Sequence, residues 1–370
     1  MKLSKLPQNV FYDPQIFFLQ RFGGISKYFI NLLQNIEKNK FSPKIIAPIS
    51  NNFYLESISS KFKKNYISIK KHPRFTRKIS EIINEKYFRI YCNIKKPAII
   101  HSTYYKDYKN YKSKVVITVY DLIYEIFEKK YNFKNLRTFR QKTLERADHI
   151  ICISNNTKKD LLNYYNLDDK KISVILLGKP EGKDYELIDN VYLRDPFILF
   201  VGDRFKYKNF ISLAKAFSSS KRINSNFNLI CFGNIDFTND EINFFKKENI
   251  NLEKIKFFSG NDYQLNYLYK KASLYVCPSI YEGFGLTLLE AMNMNCPIIA
   301  SNTSSIKEVG SNIIKYFDPY NIDDITLKIE NLIFDNAEKN KMIKLYKDHL
   351  ENFSWKKNAL ETQKIYSRII

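Results

Sequence analysis

The chain has 370 residues, with 60 Lys or Arg against 38 Asp or Glu, and its net charge is +22. This length exceeds what one hydrophobic core usually supports, so two domains are expected. No apolar run is long enough to span a membrane and the N-terminus lacks the apolar core of a secretion signal, so we expect a cytosolic protein. Reduced thiols, rather than disulfides or zinc ligands, are predicted for the five scattered cysteines Cys92, Cys152, Cys231, Cys277 and Cys296.

The excess positive charge is concentrated in the first half of the chain. Residues 1–178 carry 34 basic and 14 acidic side chains, whereas residues 179–370 carry 26 and 24. Residues 61–114 alone carry 16 basic and 3 acidic side chains, interleaved with ten Tyr or Phe residues. Such a surface suits anionic lipid headgroups or a nucleic-acid backbone. The alternative is a lysine-rich composition without a partner.

Both halves alternate β-branched runs with helical stretches, a pattern typical of parallel sheets covered by helices. In the first half, strands are predicted at 10–12, 44–47, 98–101, 115–119, 149–153 and 172–176, and helices at 24–38, 78–92, 135–147 and 157–165. In the second, strands are predicted at 197–202, 228–233, 255–258, 274–277 and 297–300, and helices at 210–219, 240–249, 263–271, 285–294, 323–334, 340–353 and 355–369.

The predicted fold is α/β, with two Rossmann-like, doubly wound domains at 1–178 and 196–352. Residues 179–195 contain Pro180 and Gly182 and have little hydrophobic periodicity, which indicates a linker. We expect the two domains to face each other across a cleft at the carboxyl ends of their strands, where such sheets bind ligands.

The most informative motif follows the predicted strand at 274–277. Glu282-Gly283-Phe284-Gly285 forms a tight turn, and the helix after it carries a second carboxylate, Glu290. Glycines let a ligand approach the backbone, and the first N–H groups of a helix have no internal partner and can bind phosphate oxygens. Carboxylates accept hydrogen bonds from sugar hydroxyls. The pattern therefore predicts a sugar joined through phosphates to a nucleoside.

Residues 281–290, followed by Cys296-Pro297-Ile298-Ile299-Ala300-Ser301, resemble the two-glutamate motif of retaining glycosyltransferases with the GT-B fold, in particular family 4. Further segments are similar to that family in the same order, namely 15–29, 147–157, and Val201-Gly202-Asp203-Arg204 with Lys208-Asn209. Residues 353–370 resemble the family's terminal helix, which crosses back to the first domain. The resemblance implies an acceptor-binding, membrane-facing first domain and a donor-binding second domain.

The resemblance also implies roles for individual residues. Glu290 is expected to bind the donor ribose, Glu282 to lie by the transferred sugar, and Arg204 and Lys208 to bind the diphosphate. The turn and helix start are expected to complete the donor site through Gly283, Phe284, Gly285, Leu286 and Thr287. For Glu282 and Glu290 the alternatives are an ordinary loop carboxylate and an exposed helix residue. For the two cations the alternative is a solvated basic loop.

The first-domain side of the site is less well defined by the sequence. Gly23 and Gly24 open a helix and would let donor or acceptor approach, or they form an ordinary turn. Many relatives have His-Asp where this chain has Tyr120-Asp121, so either Tyr120 takes over the sugar contact or the contact is lost. His101 is expected to point into the cleft, unless it is a satisfied buried histidine.

These inferences lead to a functional hypothesis. The family implies sugar transfer with retention at the anomeric carbon and no metal or other cofactor. The donor would be a GDP- or UDP-linked sugar, and the acceptor a lipid-linked glycan in lipopolysaccharide O-antigen or capsule synthesis. The cationic first domain suggests peripheral attachment to an anionic membrane, at its inner face. The alternatives are a basic nucleic-acid-binding protein, which we disfavour because no recognition motif occurs, and a GT-B protein that binds sugar nucleotide without turnover.

Overall fold

The computed structural model describes residues 7–37, 39–63, 67–68, 74–108, 111–128, 136–180, 182, 184–190, 193–204 and 206–370. The predicted helix end at Lys38, the aromatic residue Tyr66 and the predicted helix start at Asn135 lie outside these residues, as do linker positions 181, 183, 191 and 192. The chain divides into two compact units, Met1–Gly178 with Ser354–Ile370, and Lys179–Phe353.

The first unit contains a six-stranded parallel sheet in the order β2-β1-β5-β6-β7-β8. Its strands are β1 (Gln8–Tyr12), β2 (Phe41–Ile45), β5 (Ile99–Ser102), β6 (Lys114–Val119), β7 (His149–Cys152) and β8 (Ile172–Val174). A separate parallel pair is formed by β3 (Ile49–Ser50) and β4 (Ile67–Ser68). Every residue of β5 and β7 is buried, as expected for strands covered on both faces.

The helices of the first unit are α1 (Gln15–Leu19), α2 (Gly24–Asn35), α3 (Phe53–Ser57), α4 (Arg74–Lys95), α5 (Ile123–Ile126), α6 (Leu136–Glu145), α7 (Asn155–Tyr164) and the terminal α16 (Trp355–Ile369). The terminal helix is joined to this unit by specific bonds. The hydroxyls of Tyr366 and Tyr12 are 2.9 Å apart, and the Asn358 amide donates to the Leu176 carbonyl at 2.8 Å. The last residues of the chain thus complete the core of the first unit.

The second unit contains a six-stranded parallel sheet in the order β11-β10-β9-β12-β13-β14. Its strands are β9 (Phe197–Val201), β10 (Asn228–Phe232), β11 (Ile255–Phe258), β12 (Leu274–Cys277), β13 (Ile298–Ser301) and β14 (Lys315–Phe317). This is the strand order of doubly wound, nucleotide-binding folds. The sequence did not predict β14, which has only three residues.

The helices of the second unit are α8 (Phe210–Ser219), α9 (Lys221–Asn226), α10 (Asn239–Lys247), α11 (Asp262–Lys271), α12 (Leu286–Asn293), α13 (Ser304–Gly310), α14 (Ile322–Ile333) and α15 (Asn336–Leu350). The segment predicted as a linker is bonded to this unit. The Asn293 amide donates to the Gly182 carbonyl at 2.6 Å, and the Glu186 amide donates to the Tyr263 carbonyl at 3.1 Å. The described part of 179–195 therefore lies against the second unit.

Candidate functional site

The candidate site lies where the strand order of the second sheet reverses. From β9 the sheet continues through β10 to β11 in one direction, and β12, β13 and β14 follow in the other direction. Doubly wound sheets bind ligands at the carboxyl ends of the strands beside such a reversal. The segments that leave β9 and β12 meet here, because the Ile280 amide donates to the Tyr207 carbonyl at 2.7 Å.

An ion pair joins these two segments. Lys208 Nζ lies 2.7 Å from Glu282 Oε1, and the two side chains are 18% and 13% exposed. Burial alone would lower the pKa of Lys208, but the Glu282 carboxylate and the neighbouring Tyr207 outweigh it, so the pKa is raised and the ammonium stays charged. An ammonium has three N–H donors, and the bond to Glu282 uses one of them. The site therefore contains a fixed positive charge with two N–H donors that Glu282 does not use.

The backbone of Glu282 is held by two serines at the start of α13. The Glu282 amide donates to Ser304 Oγ at 2.9 Å, and Ser305 Oγ donates to the Glu282 carbonyl at 2.6 Å. Sequence reasoning missed both residues. The available signal was the run Thr303-Ser304-Ser305, which begins two residues after a buried strand ends, where hydroxyl side chains commonly satisfy free backbone groups at a helix start.

The turn after Glu282 requires glycine at one position. Gly285 precedes the first residue of α12 and has φ +100°, a conformation in which any side chain would be strained. Gly283 and Phe284 are buried, and the Phe284 ring packs 6.0 Å from that of Phe353, which anchors the turn. Leu286 and Thr287 are half-buried in the first turn of α12, whose N–H groups have no partner within the helix.

Glu290 lies one turn further along α12 and is half-buried. The Tyr269 hydroxyl donates to Glu290 Oε2 at 3.3 Å. Burial, with the Glu290 carboxylate as the next contribution, raises the pKa of Tyr269, so this phenol remains a hydrogen-bond donor. Glu290 is thus an oriented carboxylate on the same helix that begins at the Gly285 turn.

Arg204 has different surroundings from those that its position in the sequence predicts. Its guanidinium pairs with the Glu241 carboxylate at 2.7 and 3.1 Å, donates to the Asp236 carbonyl at 2.9 Å, and stacks 4.5 Å from the Phe237 ring. The side chain is 5% exposed, and within the described chain it makes no hydrogen bond to Glu282. Each of the two cations is thus paired with a carboxylate, Arg204 with Glu241 and Lys208 with Glu282, and their joint contact with a phosphate stays a prediction.

Two family models match the chain. Residues 22–178 match Glycosyltransferase Family 4, and residues 187–349 match Glycosyl transferases group 1. The chain is a member of glycosyltransferase family 4. This membership confirms the family that the motifs around Glu282 and Glu290 indicated.

Curated relatives cover the chain in part. Serotype-specific mannosyltransferase WbdA of Escherichia coli is 26% identical over 265 residues, which are 66% of this chain and 32% of that protein. O-antigen chain mannosyltransferase RfbU of Salmonella typhimurium is 29% identical over 188 residues, 50% of each chain. The chain thus aligns with only a third to a half of the length of these relatives.

Solved structures match nearly the whole chain. Sucrose-phosphate synthase from Thermosynechococcus elongatus has a TM-score of 0.77 at 17% identity and covers 98% of both chains. Anabaena HepE, solved with UDP and glucose, has a TM-score of 0.72 at 13% identity and covers 98% of this chain and 99% of its own. WaaG, a glycosyltransferase involved in lipopolysaccharide biosynthesis, has a TM-score of 0.71 at 14% identity, covering 97% and 99%. These matches confirm the predicted fold class, two parallel-sheet α/β domains of the GT-B type.

The family resemblance implies sugar contacts from the first unit, and His101 was one candidate for them. His101 is fully buried, with Nδ1 2.6 Å from the Tyr366 hydroxyl and Nε2 2.8 Å from Thr118 Oγ1. Burial lowers the pKa of His101 to about 3, which keeps the ring neutral. Both ring nitrogens contact core hydroxyls, which favours the alternative of a satisfied buried histidine over a side chain that points into a ligand site.

The other first-unit candidates have structural contacts as well. Tyr120 is buried with its ring edge-on to Tyr28 at 5.7 Å, and replacement of the sugar contact by Tyr120 stays a prediction beside its loss. Asp121 accepts a hydrogen bond from the amide of Ile123, the first residue of α5, at 3.1 Å. A Cβ at Gly23 would lie 2.4 Å from the Gln20 side chain, whereas one at Gly24 would meet nothing within 4 Å. Of the two glycines, Gly24 borders open space.

Within the described part of the chain, no group of three or more His, Cys, Asp or Glu side chains is placed to hold a metal ion. None of the helices within the same residues is long and apolar enough to cross a membrane.

Proposed function

We propose that the chain transfers a sugar from a nucleoside diphosphate sugar to a lipid-linked glycan during the synthesis of a bacterial surface polysaccharide. The observation that carries this proposal is the Lys208–Glu282 ion pair, which lies at the strand reversal of a doubly wound sheet, next to the start of α12. The curated names of WbdA and RfbU support the surface-polysaccharide setting. The UDP bound in HepE supports a sugar nucleotide as the donor.

In this proposal the second unit binds the donor. The remaining N–H donors of Lys208 and the first N–H groups of α12 bind the diphosphate oxygens, and Glu290 accepts hydrogen bonds from the ribose hydroxyls. Glu282 holds Lys208 and accepts a hydrogen bond from a hydroxyl of the transferred sugar. Arg204 supports the loop after β9 through Glu241 rather than acting on the phosphate.

The reaction breaks the bond between the anomeric carbon and the diphosphate oxygen. Negative charge develops on the departing diphosphate, and a fixed cation at that oxygen stabilises the transition state. The departing oxygen takes the proton of the acceptor hydroxyl, which attacks the anomeric carbon from the same face, so the configuration is retained. Neither glutamate forms a covalent bond, and no metal is required.

The proposal leaves the donor base and sugar to experiment. WbdA and RfbU are both named as mannosyltransferases, so mannosyl donors are the first to test. Purified protein would be incubated with GDP- and UDP-linked hexoses and octyl glycosides as acceptors, and the release of nucleoside diphosphate would be measured. We expect Glu282→Ala and Lys208→Ala to lose transfer, by about 100-fold or more, while circular dichroism shows an intact fold. Near-normal rates in both variants would overturn the proposal.

We also propose that the first unit attaches to an anionic membrane through α4. An isoleucine stripe runs along this helix, and its members are 44–66% exposed, namely Ile79, Ile82, Ile83, Ile90 and Ile94. At the helical period of 3.6 residues they share one face, whereas Phe88 and Cys92 are buried on the other. Lys78, Lys86 and Arg89 accompany the stripe on the same helix.

An exposed apolar stripe with nearby cations is typical of a helix that lies in a membrane interface. The isoleucines enter the acyl boundary, and the cations meet anionic headgroups. Isoleucine offers no aromatic ring on which a base can stack, which favours a bilayer over single-stranded nucleic acid as the partner.

A further inference from the structure

A row of hydroxyl side chains joins the segment at the end of β13 to the segment at the end of β12. We call this row the hydroxyl cluster, namely Ser301, Thr303, Ser304 and Ser305. The Ser301 hydroxyl donates to the Cys277 carbonyl at 3.4 Å. The Thr303 hydroxyl donates to the Ser279 carbonyl at 3.3 Å. With the two serine bonds to Glu282, every member of the hydroxyl cluster bonds the backbone of residues 277–282.

Hydroxyl groups at a helix start usually bond the backbone of their own helix. In this chain three serines do so, each accepting from an N–H group of the helix that follows, namely Ser154 before α7, Ser220 before α9 and Ser354 before α16. Thr303 precedes α13, a helix that is described in full, and its side chain makes no such bond there. The hydroxyls at the start of α13 thus stabilise the segment that carries Glu282 rather than their own helix.

Ser304 has a strained backbone. As the first residue of α13 it has φ +48°, in the left-handed region that favours glycine. Strained residues persist where the surrounding structure fixes them, and they are concentrated at functional sites. Ser311 also has φ +48°, but it follows the last residue of α13, where a positive φ is common. The strain at the start of the helix coincides with the hydroxyl that accepts the Glu282 amide.

We propose that the hydroxyl cluster positions Glu282, and through it Lys208, for the transfer reaction; the role in the reaction rests on the proposed function. Ser304 and Ser305 bond the amide and the carbonyl on the two sides of the Glu282 Cα atom. This fixes the direction in which the carboxylate leaves the backbone, and the carboxylate in turn holds Lys208 Nζ at 2.7 Å. Small displacements of an active-site group cost much of its effect on the transition state. The members of the cluster act through Glu282 and are positioning residues.

Acetylation of lysines in the full-length protein tests the positioning without turnover. Burial alone would lower the pKa of Lys208, but the Glu282 carboxylate outweighs it, and only an uncharged amine reacts with acetic anhydride. Ser304→Ala removes the acceptor of the Glu282 amide. We expect Lys208 to be acetylated at least threefold faster in this variant, relative to the exposed Lys206, with both sites assigned by fragment mass spectra.

Two further variants separate positioning from an effect on folding. Ser311→Ala changes the same residue type, with the same φ, at the other end of the same helix, and it should label as the wild type does. Ser304→Thr keeps the hydroxyl but adds a branched side chain at a positive φ, so it should be less stable than the wild type. We expect Ser304→Thr nevertheless to restore the slow acetylation of Lys208.

The transfer assay tests the role in the reaction. We expect Ser304→Ala to lower kcat at least tenfold with less than a threefold change in the KM for the donor, because the ammonium still binds the diphosphate but is no longer aligned with the departing oxygen. Ser304→Thr and Ser311→Ala should keep kcat within threefold of the wild type.

Each outcome of these measurements decides one part of the proposal. Equal acetylation of Lys208 in Ser304→Ala and the wild type would overturn the positioning. Faster acetylation with an unchanged kcat would overturn the role in the reaction. Faster acetylation in a protein whose wild type transfers no sugar would remove the proposed function and leave the positioning of Glu282 standing.

Discussion

At the scale of single residues, Arg204 and Lys208 illustrate what local sequence can and cannot predict. Both follow β9 closely, and both were expected at the diphosphate. In the structure Lys208 forms an ion pair with Glu282, and Arg204 forms one with Glu241. Glu241 lies on α10, 37 positions along the chain, and no local pattern indicates that it would fold back onto Arg204. The Glu282 turn, in contrast, is contiguous in sequence and could be predicted as a turn, although the serines that hold its backbone, Ser304 and Ser305, could not.

The Arg204–Glu241 pair is expected to act on stability rather than on the reaction. Both side chains are largely buried, at 5% and 19% exposure. Burial alone would raise the pKa of Glu241, but the hydrogen bonds from Arg204 outweigh it, so the pKa is lowered and the carboxylate stays charged. Glu241→Gln leaves the guanidinium without its counter-charge, and removal of one partner of a buried pair costs on the order of 3 kcal/mol. Urea unfolding of this variant should show that loss, with donor binding retained by the folded fraction. If Glu241→Gln were as stable as the wild type but had lost donor binding, Arg204 would instead be assigned to phosphate binding.

His101 is expected to make stability depend on pH. Burial lowers its pKa to about 3, whereas a histidine in an unfolded chain titrates near ~6.5. Between these values the unfolded state binds more protons, so the free energy of unfolding falls as the pH drops below about 6.5. His101→Gln removes this titration, and its Tm should fall less steeply than that of the wild type between pH 7 and 4.5 in scanning calorimetry. Parallel curves for the two proteins would contradict a neutral, buried His101.

At the scale of elements, the long helices and the central strands could be predicted because their apolar periodicity extends over several turns or alternations. The elements that the sequence missed have two to seven residues and show too little of any period, namely α1, α3, α5, α9, α13, β3, β4 and β14. Helix α4 was predicted at 78–92 and extends over Arg74–Lys95. Its two apolar faces explain why periodicity found the helix but did not reveal which face is exposed.

The isoleucine stripe gives a prediction for α4. Replacing Ile82 and Ile90 with Asn removes apolar area from the exposed face without touching the buried one, so membrane affinity should fall. Flotation with vesicles of phosphatidylglycerol and phosphatidylethanolamine should recover the wild type with the vesicles and lose at least 80% of the double variant. Leu345→Asn, at a 44% exposed position on α15 of the second unit, is the control and should float as the wild type does. Flotation of the double variant at the wild-type level would exclude α4 as the anchor.

At the scale of the whole molecule, each unit has a candidate ligand position at the reversal point of its own sheet. The candidate site of the second unit lies between β9 and β12, and a pocket of the first unit lies between β1 and β5. The sequence predicted two doubly wound domains but not the order of their strands, because strand pairing joins residues far apart along the chain. The Glu282 turn of the second unit is contiguous in sequence, whereas the first-unit pocket draws its lining from three separated segments around Gln15, Glu81 and Tyr108, which no local pattern connects.

The central claim is that the second unit holds a nucleoside diphosphate sugar through Lys208. Isothermal titration of GDP and UDP into the full-length protein tests it most directly, with Lys208→Met beside Lys206→Met, an exposed lysine two positions earlier. We predict that the wild type binds at least one nucleotide, that Lys206→Met binds it equally well, and that Lys208→Met binds it at least tenfold more weakly, a loss of ~1.4 kcal/mol or more. Failure of the wild type to bind either nucleotide, or equal affinity in Lys208→Met, would contradict the account.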